Sequence, residues 1–121
     1  MKNIQLTCAH ALVKFLIAQK TLIDGKKVPL FPGVFGIFGH GNVACLGQAL
    51  QENQKKLPTW RGHHEQNMAL TGIAYSRAKR RKQIFVATSS VGPGSTNMIT
   101  AAAVAMLSLI HISEPTRPLI I

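Results

Sequence analysis

The stretch QIFVATSSVGPGSTN, residues 83–97, decides the fold class because an apolar run passes there into a glycine-rich turn and then into helix-forming sequence. Its first part, Gln83–Ser90, is short, apolar and bounded by turn residues, which predicts a buried strand of a parallel sheet. The GPGSTN segment, residues 92–97, predicts the start of a helix that continues to Met106, with Ser95 or Thr96 at its N-terminus.

The same strand and helix order precedes this unit twice. GVFGIFG and PTWRG predict two more short strands, at residues 33–39 and 58–62. Apolar residues recur at helical spacing before the first of these strands and after each of them. The three helical stretches are LTCAHALVKFLIAQ (6–19), HGNVACLGQALQEN (40–53) and HEQNMALTGIAYSRAKRR (64–81). Thr7 is the expected N-cap of the first helix. The DGKKVP segment, residues 24–29, is interpreted as a loop. This order predicts a three-layer α/β fold, a parallel sheet flanked by helices with right-handed crossovers.

The composition limits the classes of function. The chain has 121 residues, enough for one domain, and a net charge of +10. The basic stretch RAKRRK, residues 77–82, falls at a predicted helix end, where such runs are usually solvated surface. A basic nucleic-acid-binding module stays an alternative, although aromatic residues make up only 6% of the chain and none interrupts the RAKRRK stretch. The apolar stretch at residues 98–112 is shorter than the roughly 20 residues that a membrane helix needs, so no membrane partner is expected.

The cysteines and the N-terminus indicate the compartment. Cys8 and Cys45 lack the paired spacing of a zinc or redox motif, so they are expected to be small buried hydrophobic residues without a disulfide. The N-terminal stretch is interrupted by polar residues and lacks a small-residue cleavage site, which argues against a signal peptide. Both features predict a cytoplasmic protein.

The unusual polar segments all follow predicted strands. They are FGHGN (38–42), RGHHEQ (61–66) and SSVGPGSTN (89–97). Since ligands of parallel sheets bind beyond the carboxyl ends of the strands, these three segments are predicted to form one rim. Glu65 is notable there because the chain has only four acidic residues.

Each rim segment also has a simpler interpretation. GHGN is compatible with a plain tight turn, and GPGSTN with a plain helix start whose N–H groups are free to hold an anion or a polar ring. The lysine of a phosphate-binding P-loop is absent from GPGSTN. His63 and His64 are adjacent, so their side chains diverge, and no metal site is expected. Glu65 is compatible either with catalysis or with a first-turn carboxylate favoured by the helix dipole.

A family resemblance bears on this choice. FGIFGHGNVACLGQAL, RGHHEQNMALTGIAYSRA and IFVATSSVGPGSTN, in this order and spacing, resemble the N-terminal pyrimidine-binding domain of thiamine diphosphate-dependent enzymes of the acetolactate synthase group. The resemblance covers Ile4–Met106. Cys45 departs from it, since glycine or another small residue is expected at that position.

The resemblance implies thiamine diphosphate and Mg²⁺ as cofactors. It gives Glu65 the catalytic role of the carboxyl group that contacts the pyrimidine ring nitrogen and promotes activation of the cofactor. The other residues that it places at the cofactor are Ser90, Gly92, Pro93, Gly94 and Asn97. Its weaker implication is that His40, Gly41 and Ser89 face the substrate.

The phrases FGIFGHGN and TSSVGPGSTN resemble most the branch of the family that hydrolyses a ring carbon–carbon bond of a cyclic 1,2-dione in inositol breakdown. A carboligase or decarboxylase like acetolactate synthase is the alternative. In either case the resemblance implies that magnesium and the diphosphate bind in a separate C-terminal domain, and that each site joins two subunits of a dimer or tetramer. This chain would then be about a sixth of a complete, multidomain enzyme and inactive alone.

The last fifteen residues, LSLIHISEPTRPLII, are expected to be foreign to the domain. Their first eleven resemble the translation of a sequencing adapter. The predicted organisation is therefore a partial pyrimidine-binding domain at residues 1–106 and a non-native tail at residues 107–121.

Overall fold

The computed structural model describes residues 3–107 of the chain, so the predicted tail lies outside the described residues except for Leu107. The helices are α1 (Cys8–Ala18), α2 (Gln48–Glu52), α3 (Glu65–Ala78), α4 (Pro93–Thr96) and α5 (Ile99–Leu107), and the strands are β1 (Lys20–Ile23), β2 (Lys26–Pro29), β3 (Val34–Gly36), β4 (Thr59–Arg61) and β5 (Val86–Thr88). A π-helical segment, Val43–Gly47, leads directly into α2.

A three-stranded parallel sheet forms the centre of the fold, in the order β4-β3-β5. Phe35 of β3 lies opposite Trp60 on one side and Ala87 on the other. All three strands run in the same direction, which confirms the predicted parallel sheet. Their carboxyl ends therefore meet at one edge of the sheet, where the polar segments follow.

Helices cover both faces of this sheet. On one face, Val34 belongs to a buried cluster with Val13 of α1 and Leu50 of α2. Because side chains alternate along a strand, Phe35 points to the other face, where it stacks on Phe85 with ring centroids 4.6 Å apart. The helices α3 and α5 lie on that side and pack together through a cluster of buried residues, which are Ile73, Ala101 and Ala105. The three-layer α/β fold is thus confirmed.

The segment interpreted as a loop is instead part of a β-hairpin. Strands β1 and β2 pair in antiparallel register from Lys20 opposite Pro29 to Ile23 opposite Lys26. Asp24 and Gly25 form the turn with φ of +51° and +76°. Positive φ at both central residues is what a type I′ turn requires, and Asp-Gly is one of the pairs that favour it.

The helix after β5 does not begin at Ser95 or Thr96. Pro93 is its first residue and Gly92, with φ +68°, precedes it. The two hydroxyl side chains donate backwards to loop carbonyls: Ser95 Oγ to Ser90 O at 2.7 Å and Thr96 Oγ1 to Gly92 O at 3.0 Å. Proline is preorganised for the first helical position, so the turn forms earlier than predicted, and α4 ends before α5 begins.

Two predictions for α1 and the cysteines have different outcomes. Thr7 caps α1 as expected, because its Oγ1 accepts a hydrogen bond from His10 N at 3.2 Å. The prediction that Cys8 and Cys45 are buried is wrong, since both side chains are exposed. Val13 is the one fully buried residue of α1, so the contact stripe of this helix is narrower than its apolar sequence indicates.

The basic stretch Arg77–Lys82 is exposed, as predicted. It closes α3 in a Schellman motif, in which Arg81 N donates to Ser76 O at 2.8 Å and Arg80 N donates to Arg77 O at 2.9 Å. Arg80 and Arg81 both have positive φ, a region in which glycine is usual. Within residues 3–107, no helix is both long and apolar enough to cross a membrane.

Candidate functional site at the carboxyl edge of the sheet

The loops that follow the parallel strands are tied to one another. Ile37 N donates to Thr88 O at 3.1 Å, so the β3–β5 pairing extends beyond the strand ends. Asn42 Nδ2 then donates to Ser89 O at 3.2 Å, which links the loop after β3 to the loop after β5. Gly62 N donates to Gly36 O at 3.2 Å and brings the loop after β4 to the same edge. The three polar segments therefore share the predicted rim.

Glu65 is the first residue of α3. His64 is the N-cap, with extended backbone angles and Nδ1 accepting a hydrogen bond from Gln66 N at 3.2 Å. The local sequence thus places a half-buried carboxylate in the first turn of a fourteen-residue helix, where acidic residues are common. Since a structural carboxylate would be placed in the same way, the contacts of the carboxylate have to distinguish the two roles.

Glu65 contacts the segment after β5 through one carboxylate oxygen and lies next to Gly94 with the other. Asn97 Nδ2 donates to Glu65 Oε2 at 3.3 Å. On the other side, a Cβ built at Gly94 would lie 3.1 Å from Glu65 Oε1 and 3.3 Å from the Cβ of Ser90, so no side chain fits there without displacing a neighbour. We call Glu65, Ser90, Gly94 and Asn97 the Glu65 cluster. Residues from two strand ends converge in it.

Hydroxyl groups organise the loop that carries this cluster. Ser95 Oγ, which donates to Ser90 O, is also 3.3 Å from Ser89 Oγ. From the neighbouring loop, Gly39 approaches so closely that a side chain there would overlap Ser90 Oγ. The sequence interpretation assigned no site role to Gly39 or Asn42 and gave Ser95 only a place at a predicted helix start; the signal for them was their position directly after strands β3 and β5.

The remaining predicted residues lie on the rim without joining the Glu65 cluster. Gly92 and Pro93 shape the turn into α4 through their backbone. His40 and Gly41 lie in the exposed turn after β3, where Gly41 has φ +78°. Ser89 precedes the cluster residue Ser90, and its Oγ donates to Ser90 O at 3.2 Å.

The histidines and acidic residues of the described part of the chain do not assemble into a metal site. Among residues 3–107, no three His, Cys, Asp or Glu side chains come close enough together to hold an ion. His10 Nε2 and Glu52 Oε2 form a 2.7 Å ion pair between α1 and α2. Hydrogen bonds from His10 and then Gln48 lower the pKa of Glu52. This pair links α1 to α2 and does not involve the carboxyl edge.

Two cavities lie next to the sheet. One of about 530 Å³ is bounded by Phe38, Gln51 and Arg61, among other residues, next to the ends of β3 and β4. The other, of about 760 Å³, follows the outer side of β5 and includes Phe85 and Met98. Glu65 lines neither of these two cavities.

Comparison with known proteins identifies the domain. The family model "Thiamine pyrophosphate enzyme, N-terminal TPP binding domain" matches residues 32–113. The matched range extends past residue 106, where the domain is predicted to end. The boundary between the domain and the tail therefore stays a prediction.

Three curated relatives are named 3D-(3,5/4)-trihydroxycyclohexane-1,2-dione hydrolase. The relatives from Clostridium tetani, Geobacillus thermodenitrificans and Bacillus thuringiensis are 48%, 52% and 50% identical over 112 residues, which is 93% of this chain in each case. The same alignments cover only 17%, 18% and 17% of the relatives, so the chain spans about a sixth of their length. The chain belongs to the family of thiamine pyrophosphate enzymes, and residues 32–113 match its N-terminal TPP-binding domain.

Proposed function

We propose that the protein to which this chain belongs is a thiamine diphosphate-dependent hydrolase that opens the ring of a trihydroxycyclohexane-1,2-dione and yields 5-deoxyglucuronate. The names of the relatives at about half identity support the substrate class. The observation that carries the catalytic part is the Glu65 cluster, in which one carboxylate oxygen is held by Asn97 and the other lies against Gly94. A carboxylate that serves only the helix dipole would not require a donor from a segment 32 residues away.

The donor set of the rim fits the pyrimidine part of the cofactor. Glu65 is half-buried, and a carboxylate oxygen is a group that can share a proton with a ring nitrogen. The loop at Ser90–Gly94 offers backbone groups beside it, of which Gly92 has the positive φ that exposes them. When bound, thiamine diphosphate supplies a carbon nucleophile for attack on a ketone.

The diphosphate and Mg²⁺ are proposed to bind outside this chain, in a second subunit of a cytoplasmic homo-oligomer. Support comes from apolar side chains exposed on the rim, since Val91 and Ile99 are 66% and 65% exposed. Apolar groups on an exposed edge are what another domain would cover.

The net reaction is a hydrolysis. Water splits the bond between the two adjacent ketone carbons of the ring; its oxygen completes a carboxylic acid at one end, and a hydrogen completes an aldehyde at the other. No carbon is lost, which distinguishes this reaction from decarboxylation. The contribution proposed for Glu65 is to hold and return one proton at its carboxylate oxygen.

An acetolactate synthase-like carboligase or decarboxylase is the alternative, because the Glu65 cluster would serve it equally well. The test is an incubation of the full-length protein with the cyclic dione, thiamine diphosphate and Mg²⁺, and a parallel incubation with pyruvate. Formation of the linear acid-aldehyde that requires the cofactor supports the proposal. Carbon dioxide release from pyruvate without ring opening would favour the alternative. Glu52→Gln is the matched control for Glu65→Gln, since Glu52 lies away from the rim.

A further inference from the structure

We infer that Asn97 is a positioning residue, which acts by orienting the Glu65 carboxylate and not by touching the cofactor. This inference rests on the proposed function. It begins from one contact: the side-chain amide nitrogen of Asn97 donates to Glu65 Oε2 at 3.3 Å, across 32 residues of sequence.

The two carboxylate oxygens of Glu65 are constrained in different ways. Asn97 holds Oε2 by a hydrogen bond, whereas Oε1 lies beside the space that Gly94 leaves free, since a Cβ built there would be 3.1 Å away. Within the described part of the chain, no hydrogen bond is made to Oε1. The cluster thereby leaves Oε1 as the oxygen available for proton exchange and sets the direction in which it points.

Asn97 is itself held firmly. It is the C-cap of α4, where its backbone N donates to Pro93 O at 3.1 Å. The helix is anchored to the preceding loop by the hydrogen bond from Ser95 to Ser90 O. Because these hydrogen bonds fix the backbone at Asn97, its side chain loses little conformational freedom when it orients Glu65. Residues that support catalytic groups are commonly held in this way.

An ordinary surface hydrogen bond is the competing explanation, since Asn97 is exposed. The two explanations differ in what they require of the carboxylate. If Asn97 only makes a surface hydrogen bond, or binds the cofactor directly, the change in kcat on replacing it is independent of the charge on Glu65. If it positions Glu65, its effect vanishes when the carboxylate is removed.

The first test is a double-mutant cycle in the full-length holoenzyme. Asn97→Asp keeps the shape of the side chain but replaces the donor by a second carboxylate, and we expect a kcat about 10- to 100-fold lower, with a small change in the thiamine diphosphate concentration at half-saturation. In the Glu65→Gln background, the same substitution is expected to change kcat by less than about twofold. The matched control is Asn53→Asp, since Asn53 is also a helix C-cap whose side chain donates, here to Ala49 O at 2.8 Å.

A pH profile gives a readout that a merely structural role would not change. As the pH is lowered, the carboxyl group introduced by Asn97→Asp takes up a proton and becomes a donor again. The ratio of its kcat to that of the parent enzyme is therefore expected to rise towards acid pH, whereas the ratio for Asn53→Asp stays flat.

The second test needs neither activity nor an Asn97 variant. In the ¹⁵N-labelled full-length protein without cofactor, the side-chain amide protons of Asn97 are expected to shift upfield in Glu65→Gln, because a charged acceptor is replaced by a neutral one. The amide signals of Asn53 serve as the internal control.

The outcomes separate the two proposals. If Glu65→Gln leaves kcat unchanged, the proposed function fails. If Glu65→Gln lowers kcat, the proposed function stands. The positioning role is then wrong if Asn97→Asp lowers kcat by the same factor in the Glu65→Gln background as in the parent, or if the Asn97 amide signals do not move.

Discussion

Replacing Gly94 by alanine is expected to damage the reaction while the fold is retained. The added Cβ would lie 3.1 Å from Glu65 Oε1 and 3.3 Å from the Cβ of Ser90, so these neighbours must give way by a few tenths of an ångström. Gly94 lies within α4. Alanine is compatible with a helical backbone there and reduces the entropy of the unfolded chain.

The expected magnitudes differ for stability and for activity. The free energy of unfolding is expected to change by at most about 1 kcal/mol in either direction, because the helix gain and the crowding oppose each other. Misplacing a catalytic group by about 1 Å costs about 100-fold, so a shift of roughly half that distance predicts a kcat about 10-fold lower.

The assay compares kcat and melting temperature of Gly94→Ala and Gly72→Ala in the full-length enzyme. Gly72 is a matched control within α3, because its added Cβ would lie at an ordinary 3.5 Å from the Cβ of Phe85. Gly72→Ala is expected to leave kcat unchanged. Unchanged kcat in Gly94→Ala, or equal losses in both variants, would refute the claim that Gly94 makes room for the carboxylate.

Three further predictions concern stability. Arg80→Gly is expected to raise the free energy of unfolding in urea by about 1 kcal/mol, because Arg80 has φ +51° at the Schellman end of α3; a decrease would contradict this. His10 lowers the pKa of Glu52 in the folded chain. Ionised Glu52 therefore adds to the free energy of unfolding above its usual pKa of 4.5, and this contribution is lost as the pH falls through the lower pKa of the folded state. Glu52→Gln should therefore flatten the acid side of a melting temperature profile, and an unchanged slope would count against the pair. Deleting residues 107–121 is expected to leave the melting temperature unchanged or higher; a clear decrease would show native packing of that segment.

The parallel sheet could be predicted from the sequence because its strands are short apolar runs bounded by glycine or turn residues. Their order in the chain then placed Glu65 and the GPGSTN segment on one edge. The hairpin was missed although Asp24-Gly25 is a strong turn signal. The lysines around this turn interrupt the alternation of apolar and polar residues that predicts a strand. Burial of Cys8 could not be judged, because helical spacing does not give the width of the stripe that a helix buries.

The details of the site were beyond prediction for a different reason. The contact between Asn97 and Glu65 depends on where α4 begins, and that helix starts at Pro93 instead of Ser95 or Thr96. A shift of two or three residues in a helix start turns a side chain to another face. The sequence could therefore indicate which segments meet but not which atoms touch.

The role of Glu65 is tested most directly by exchange of the proton on the thiazolium carbon of thiamine diphosphate, followed by NMR in the full-length holoenzyme. In Glu65→Gln, with the fold checked by melting temperature, the exchange rate is expected to fall by roughly 100-fold or more, as expected for loss of a general acid–base group. An exchange rate within a few-fold of the parent, together with a lower melting temperature, would mean that Glu65 only stabilises the first turn of α3 and has no catalytic role.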